Sequence, residues 1–501
     1  MVIDPIPRGG ALAELIAGRA RERGDAPALE DAGSDRVVSY RDLAGLVRRQ
    51  GAALSAAAVP PGARVLLDVA DPLDFSVAFL GVIAAGRCAV PVDPRAPEGE
   101  LRRGSAVVRP AAMVGDQPER GRVLGIPVLP AAVRGGPGPE VPGPEVPGPE
   151  VPGAVLLLTS GSTGNPKAVE LTEDRLLHVA RAVAVHNQLS ADDRGFSPLP
   201  LFHINAEVVA LLASLVAGAA LVLDSRFHRH GFWELLAERD ITWVNAVPAI
   251  WTIVASCPVP IRPRRLRFVR SASAPLPVAV RDQVTALTGV PVVESYGMTE
   301  AASQITATPL DGTAPAGSCG RPVGTELEIR DRAGRRLPPG HVGGVWIRGA
   351  GVISGYADGR AAERFDADGW LDTRDMGYLD ASGFLFLAGR SDDVINRGGE
   401  MLYPREIEEV LSADPGIRDA VVVGRADPVL GQVPVAYVIP VHGPETAGVM
   451  QDLLDRLTAR CAAHLSRHKR PAAIYVVEDL PRAATGKIQR HRLRQPAGAA
   501  T

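Results

Sequence analysis

The chain has 501 residues, a hydrophobic fraction of 46% and a formal net charge of -3. This length predicts two or three domains with sizeable cores, and the near-neutral charge excludes the basic footprint of a nucleic-acid-binding protein. The longest apolar run, residues 208–223, is short for a membrane span, and the N-terminus carries no signal segment, so we expect no membrane association.

The four cysteines are far apart and form no metal-ligand pair, which indicates buried thiols in a reducing, cytoplasmic compartment. Apolar periodicity predicts helices at residues 12–23, 40–57 and 74–85, and strands at 64–69 and 88–92. Residues 136–153 contain Pro-Gly-Pro-Glu-Val three times. Because proline is excluded from helix interiors and central strands, we expect a flexible surface loop there.

Strand and helix patterns continue to alternate after this repeat, which implies a parallel sheet with right-handed crossovers. We predict strands at residues 154–158, 219–223, 243–247, 266–271 and 290–294. Helices are predicted at 175–189, 206–215, 233–239 and 276–288. From about residue 324, short glycine-punctuated strands at 326–331, 344–349 and 378–386 indicate an antiparallel, β-barrel-like subdomain.

The sequence pattern of the C-terminal part predicts a separate α+β unit. It has predicted helices at residues 404–412 and 450–465 and strands at 417–424, 433–441 and 473–477. We therefore predict an α/β large domain over residues 1–390, which includes the barrel-like part, and a small mobile domain over 391–501. The hinge between them is predicted near Asp392.

Lysine is almost absent from the chain. Only Lys167, Lys469 and Lys487 occur, and two of them end glycine-containing loops, Thr-Ser-Gly-Ser-Thr-Gly-Asn-Pro-Lys at 159–167 and Ala-Thr-Gly-Lys at 484–487. A lysine ammonium is a flexible point charge that suits a phosphate oxygen. For Lys469, in a basic turn, a solvated position and a phosphate contact both stay open.

The first of these loops predicts an anion site, because small residues let the backbone approach a phosphate while hydroxyls donate to it. No Ser or Thr follows Lys167, so this is not a Walker A loop and magnesium must be held elsewhere. The predicted nucleotide-binding residues are Thr159, Ser160, Gly161, Ser162, Thr163, Gly164 and Lys167.

Residues 294–300 read Glu-Ser-Tyr-Gly-Met-Thr-Glu. We expect the preceding strand to end at Glu294 and a tight turn to follow at the glycine. Tyr296 would then cover a base, Thr299 bond a phosphate and Glu300 bind magnesium, which prefers oxygen ligands. The alternative is a plain strand–turn with a solvated glutamate.

Asp375 lies in a glycine-flanked segment, where its carboxylate can accept both hydroxyls of a ribose. A turn-stabilising aspartate is the other interpretation. Arg390 is a candidate clamp on the nucleotide, and Gly398 and Gly399 let a narrow ligand pass close to the backbone.

In this order, these segments resemble the motifs of the ANL superfamily of adenylate-forming enzymes, and the likeness runs from Tyr40 to Arg490. The resemblance implies that a carboxylate attacks the α-phosphate of ATP, giving an acyl-adenylate and pyrophosphate. The small domain then rotates and a thiol attacks the acyl carbon. Lys487 would be the C-terminal catalytic lysine, present only for adenylation, where its charge stabilises the transition state.

Within the superfamily, Pro-Leu-Phe-His at 200–203 and the segment at 398–408 resemble acyl-CoA synthetases of the small-acid, oxalate and 4-coumarate types. The resemblance implies ATP, Mg2+ and coenzyme A as cofactors and a small polar or aryl carboxylic acid as substrate. It makes His203 a gate between the ATP and acyl sites and places the loop with Ser273 and Ala274 at the nucleotide. The expected acyl pocket contains His203, Asn205, Trp251 and Ser271.

The chain departs from these relatives in three places. It lacks the histidine of the oxalate-type Glu-Ala-Ser-His-Gln segment, which argues against oxalate itself. Arg374 and Ala168 replace glycines, which is tolerable where the backbone angles are ordinary.

Four functions stay open on the sequence. They are acid–CoA ligation, loading of a carrier protein, activation of a non-carboxylate substrate, and non-catalytic nucleotide binding. The presence of Lys167, Glu300, Asp375 and Lys487 together disfavours the last, because a protein that only binds nucleotide does not need this complete set of charges.

Overall fold

The computed structural model describes residues 10–132, 151–159, 167–257, 259, 261–441, 447–482 and 488–494. Most of the Pro-Gly repeat, the phosphate-loop residues Ser160, Gly161, Ser162, Thr163 and Gly164, and Lys487 lie outside these ranges. Of Thr159 only the backbone is described.

The chain forms twenty-four described strands. In chain order they are β1 Pro27–Asp31, β2 Val37–Ser39, β3 Arg64–Asp68, β4 Cys88–Pro91, β5 Ala112–Gly115, β6 Val128–Leu129, β7 Ala154–Thr159, β8 Lys167–Thr172, β9 Arg194–Ser197, β10 Ala220–Leu223, β11 Trp243–Ala246, β12 Phe268–Ser271, β13 Val292–Met298, β14 Ser303–Ala307, β15 Arg321–Pro322, β16 Glu326–Arg330, β17 Gly343–Arg348, β18 Leu371–Leu379, β19 Leu385–Arg390, β20 Ile395–Arg397, β21 Glu400–Leu402, β22 Ile417–Asp427, β23 Gly431–Pro440 and β24 Ala473–Val476.

The α-helices of the described residues alternate with these strands. They are α1 Ala11–Arg23, α2 Tyr40–Ala56, α3 Pro72–Ala84, α4 Glu98–Val108, α5 Pro118–Leu124, α6 Glu173–His186, α7 Ala213–Ala217, α8 Phe232–Glu238, α9 Pro248–Ala255, α10 Val278–Thr288, α11 Pro404–Ser412, α12 Ala447–His464 and α13 Arg490–Leu493. A π-helix, Asn205–Leu212, leads directly into α7.

The large domain contains two mainly parallel sheets, with strand orders β6-β5-β3-β4-β7-β8 and β15-β14-β13-β12-β11-β9-β10-β1-β2. Central strands such as β3, β11 and β12 are buried along nearly their whole length, as expected for a sheet that is covered on both faces. A third sheet, β16-β17-β18-β19, is antiparallel as predicted, but its described strands form an open sheet and not a closed barrel.

The small domain is an α+β unit built on the β22–β23 hairpin. Its sheet has the order β21-β20-β23-β22, with β24 beside β23. The α/β and α+β division predicted from the sequence is therefore confirmed. The boundary at residue 390 and the hinge at Asp392 stay predictions, although the small domain has its own apolar cluster, which includes Ile395, Ile407 and Leu457.

One local expectation was wrong. β13 does not end at Glu294 but runs through Gly297 to Met298 and pairs with β14. Glycine is needed at 297 for close approach and not for a turn, because a Cβ there would lie 1.4 Å from the carbonyl oxygen of Ser303. The predicted helix at 206–215 begins as a π-helix, a form that is common at functional sites.

The departures at Ala168 and Arg374 differ in backbone angle. Ala168 lies in the extended strand β8, where any residue fits. Arg374 has φ 65°, in the left-handed region that favours glycine. The ordinary backbone angle that makes the replacement of glycine tolerable is therefore present at Ala168 but not at Arg374.

Candidate active site

The predicted phosphate loop connects two paired strands. Thr159 at the end of β7 and Lys167 at the start of β8 are register partners, so the loop is the connection of a β-hairpin. The Nζ of Lys167 lies 5.0 Å from the centroid of the Tyr356 ring. Sequence reasoning missed Tyr356, which carries no motif of its own.

Tyr356 links the lysine to the predicted magnesium ligand. Its hydroxyl donates to Oε1 of Glu300 at 2.6 Å, and Arg364 Nη1 donates to the same oxygen at 3.1 Å. Burial raises the pKa of Tyr356, so the phenol keeps its proton and acts as a donor. The structure therefore brings Lys167 and Glu300 into one cluster.

Glu300 is 7% exposed and lies on a short 3-10 turn directly after β13 and Thr299. The described residues contain no group of three or more His, Cys, Asp or Glu side chains that could enclose a metal. Mg2+ is commonly held by one or two carboxylates together with substrate phosphates and water. A single Glu300 beside the phosphate-loop lysine fits that mode of binding.

The predicted ribose residues meet across the β18–β19 pair, where Asp375 and Arg390 are register partners. Tyr296 donates its hydroxyl to Asp375 Oδ2 at 2.5 Å, and Arg390 Nη1 lies 3.5 Å from Oδ1. Burial, followed by the charge of Asp375, raises the pKa of Tyr296. Arg390 Nε also contacts Asp392 at 3.1 Å, so the predicted ribose and hinge residues are directly connected.

The predicted acyl residues cluster around the π-helix. Desolvation lowers the pKa of His203, so its ring is neutral near pH 7. Asn205 accepts a hydrogen bond from Asn245 Nδ2 at 2.7 Å, so Asn245, which no sequence motif marks, lies beside the expected acyl pocket. Ser271 is buried, and its hydroxyl has no hydrogen-bond partner among the described residues.

Trp251 requires a correction. Its indole is fully buried and donates from Nε1 to the carbonyl oxygen of Arg270 at 2.8 Å. It therefore packs within the core and supports β12, and it does not form an open wall of the acyl pocket.

Four predicted ligand-binding residues face solvent in this structure. Ser273 and Ala274 are exposed on the loop after β12, and Ser273 has a left-handed φ of 75°. Gly398 and Gly399 are exposed at the turn between β20 and β21. Lys469 pairs with Glu406 at 2.6 Å, which favours its solvated interpretation.

One close approach between the domains was not predicted. Arg405, on the first turn of α11, is 17% exposed in its side chain and lies near Cys319 of the large domain. The carboxyl of Glu294 lies close enough to Arg405 to interact with its charge. Burial raises the pKa of this carboxyl to about 7. Arg405 also bonds Glu409 on its own helix at 2.9 Å.

Comparisons with known proteins agree with this geometry. The family model described as AMP-binding enzyme matches residues 16–357, and the model of the AMP-binding enzyme C-terminal domain matches 406–487. A sulfoacetate–CoA ligase from Cupriavidus necator is 35% identical over 96% of this chain and 97% of its own. An oxalate–CoA ligase from Arabidopsis thaliana is 32% identical over 97% and 98%.

A solved structure of the o-succinylbenzoate coenzyme A synthetase from Bacillus subtilis, in complex with ATP and magnesium, has a TM-score of 0.82. It is 27% identical and covers 96% of this chain and 99% of its own. ATP, Mg2+ and coenzyme A are the cofactors of CoA ligases in this family. No helix in the described parts of the chain is long and apolar enough to cross a membrane. The chain belongs to the AMP-binding enzymes and is an AMP-forming acyl-CoA synthetase of the ANL superfamily.

Proposed function

We propose that the protein ligates a small polar or aryl carboxylic acid to coenzyme A. The substrate carboxylate attacks the α-phosphorus of ATP, and pyrophosphate leaves. The thiol sulfur then attacks the acyl carbon, and AMP leaves. The observation that carries this proposal is that the predicted nucleotide-binding residues form two groups of contacting side chains. One group is Lys167, Tyr356 and Glu300, and the other is Tyr296, Asp375 and Arg390.

We assign the roles of individual residues from their contacts, where these are described, and from the resemblance to the superfamily. Lys167 faces the β- and γ-phosphates, with Thr299 and the loop residues 159–164 as donors. Glu300 would hold Mg2+, which neutralises phosphate charge when bound. Tyr296, Asp375 and Arg390 hold the adenosine, with Ser273 and Ala274 beside the base.

We assign the acid to the pocket of His203, Asn205, Asn245 and Ser271. His203 is neutral and half-buried, so its imidazole can separate this pocket from the nucleotide without repelling or trapping the acid by charge. Small polar side chains at 205, 245 and 271 favour a short, polar acid over a fatty chain.

We assign Lys487 to adenylation and the hinge to Asp392, with residues 1–390 as the fixed domain. Gly398 and Gly399 are exposed in this structure, and in the proposed mechanism they reach the thiol only after the small domain has rotated. The proposed acceptor is coenzyme A, and a carrier protein is the second candidate.

The test begins with acid-dependent pyrophosphate release over a panel of short, aryl and dicarboxylic acids. Lys487→Ala should lower acid-dependent ATP–pyrophosphate exchange by roughly 100-fold or more, as the loss of a transition-state donor does. It should spare thiol attack on a supplied acyl-adenylate. Lys469→Ala is the matched control, because that lysine pairs with Glu406.

If acid-dependent ATP–pyrophosphate exchange persists in the Lys487→Ala variant, Lys487 does not have the role assigned to it. Product formation with coenzyme A, compared with a phosphopantetheinylated carrier protein, separates the two acceptors. A panel in which no acid releases pyrophosphate would overturn the proposed ligase.

A further inference from the structure

A row of polar side chains crosses the interior of the large domain from the expected acyl pocket. Asn245 on β11 and Arg270 on β12 are register partners, so their side chains lie next to each other on one face of the sheet. Asn245 bonds Asn205 of the π-helix, which contacts α6, β9, β11 and β14. The acyl pocket and Arg270 are therefore neighbours.

Arg270 is fully buried and bonds only neutral acceptors. Nη1 donates to Asn187 Oδ1 at 2.9 Å, while Nη2 donates to Ser295 Oγ at 3.2 Å and to Gln304 Oε1 at 2.5 Å. We call these four residues the Arg270 cluster. No described Asp or Glu forms an ion pair with Arg270.

An enclosed cation without a counter-ion is unfavourable, because burial removes hydration and no opposite charge replaces it. Burial lowers the pKa of Arg270 to about 9, so the guanidinium is still charged near pH 7. Arg364, which is also buried in the large domain, has the carboxylate of Glu300 instead. The charge on Arg270 is therefore not explained by the internal contacts of the fold.

The cluster also has more donors than acceptors. Arg270 Nε, Asn187 Nδ2 and Gln304 Nε2 are buried nitrogens that have no hydrogen-bond partner in the part of the chain that the structure describes. The oxygens of both amides already accept from Arg270, so exchanging O and N would not remove the excess. Buried N–H groups around a positive charge are complementary to the oxygens of an anion.

The two ends of the row differ in exposure. Asn205 and Ser295 are partly exposed, whereas Asn187, Asn245 and Arg270 are fully enclosed. Ser295 immediately precedes Tyr296, which contacts the ribose aspartate. A short acid whose reacting carboxylate faces the nucleotide would therefore direct its other end towards Arg270.

We propose that the Arg270 cluster binds a second anionic group, a carboxylate or sulfonate, at the far end of the acid substrate. This inference rests on the proposed ligase function and narrows its substrate to short dianionic acids. Arg270 is then the residue that sets substrate specificity, with Asn187 and Gln304 as further donors to the anion.

The first experiment compares dianionic acids with matched neutral-ended partners. The pairs are malonate and malonamate, succinate and succinamate, and sulfoacetate and methylsulfonylacetate. For at least one pair we expect kcat/KM in pyrophosphate release to be roughly 10- to 100-fold higher for the dianion, as expected for hydrogen bonds to charge. The carboxylate and sulfonate pairs identify which anion is bound.

Two variants test the residue assignment. Arg270→Met should abolish the preference for the dianion. Gln304→Glu should do the same while keeping the buried charge balanced, because it supplies an internal carboxylate at the same position and so tests the site if Arg270→Met does not fold. Gln283→Glu on the exposed face of α10 is the matched control and should keep the wild-type preference.

Equal turnover of both members of every pair by the wild type would overturn the inference and leave the ligase function intact. An unchanged preference in folded Gln304→Glu would overturn it as well. Failure of every acid, with or without a second charge, would instead overturn the ligase function itself.

Discussion

Asp375 and Arg390 face each other across adjacent strands, and Arg390 in turn contacts Asp392 at 3.1 Å. One guanidinium therefore connects the proposed ribose aspartate to the proposed hinge. Any change in the charge of Asp375 should alter nucleotide binding more than acid binding, because the acyl residues lie around the π-helix.

Asp375→Asn should lower kcat/KM for ATP by roughly 10- to 100-fold, since an amide has one acceptor oxygen for two ribose hydroxyls. KM for the acid should change little. The measurement compares ATP with 2′-deoxy- and 3′-deoxy-ATP. The wild type should prefer ATP, and the variant should have lost most of that preference. A full preference in the variant would contradict the assignment.

Arg405→Ala should slow adenylation relative to thiol transfer. Arg405 lies near Cys319 in a domain arrangement that leaves Gly398 and Gly399 exposed, so its loss should disfavour this arrangement. A loss of about 1 kcal/mol corresponds to roughly 5-fold in the ratio. The ratio is measured from pyrophosphate exchange and single-turnover transfer from a supplied adenylate.

The control for Arg405 is Arg418→Ala, an exposed change in the same small domain. It should leave the ratio of the two half-reactions unchanged. If Arg405→Ala lowers the rates of both half-reactions equally, the change destabilises the domain in general. Arg405 would then have no specific role in positioning the domain for adenylation.

Arg374→Gly should be more stable than Arg374→Ala by about 1 kcal/mol. Both variants lose the contacts of the guanidinium with Asp372 and Glu363, and only glycine adopts φ 65° without a steric penalty. Denaturant unfolding of the two variants isolates the backbone contribution. Equal stability would show that residue 374 is not strained.

Glu207→Gln should stabilise the protein increasingly as pH rises. The Glu207 carboxyl is fully buried, neither oxygen has a hydrogen-bond partner within the described ranges, and desolvation raises its pKa well above the ordinary value. The pKa of this carboxyl is about 4.3 in the unfolded state and higher in the folded state. The wild-type protein therefore has its full stability below about pH 4.3 and loses stability as the pH rises towards the pKa of the folded state.

The difference in unfolding free energy between Glu207→Gln and the wild type should therefore grow by about 1.4 kcal/mol per pH unit above pH 4 to 5. It should level off at the folded pKa. Glu100→Gln, an exposed change on α4, provides the control and should show no such slope. A flat difference for Glu207→Gln would mean that the carboxyl titrates normally.

Linear patterns predicted much of this architecture. β7 and β10 could be read from the sequence because strands buried on both faces are apolar along nearly their whole length. β6 and β15 have two residues each and leave no periodic signal. The continuation of β13 through Gly297 was hidden because the same glycine also permits a turn.

The residues of the candidate site also fall into two groups, those that a sequence motif predicts and those that only the fold brings together. Asp375, Arg390 and Tyr296 are found by motif because each lies in a short, distinctive segment. Arg270 bonds Asn187 and Gln304, which are 83 and 34 positions away along the chain. The pairing of β12 with β13 and of β13 with β14, together with the packing of α6 on β14, brings these residues together, and no local pattern encodes it.

The separate apolar cluster of the small domain bears on how quickly the enzyme can alternate between its half-reactions. Ile395, Ile407 and Leu457 pack among themselves and not into the core of the large domain. A rotation about the proposed hinge at Asp392 would then leave both interiors closed. The barrier for such a hinge motion is that of microsecond-to-millisecond domain movement and not that of partial unfolding.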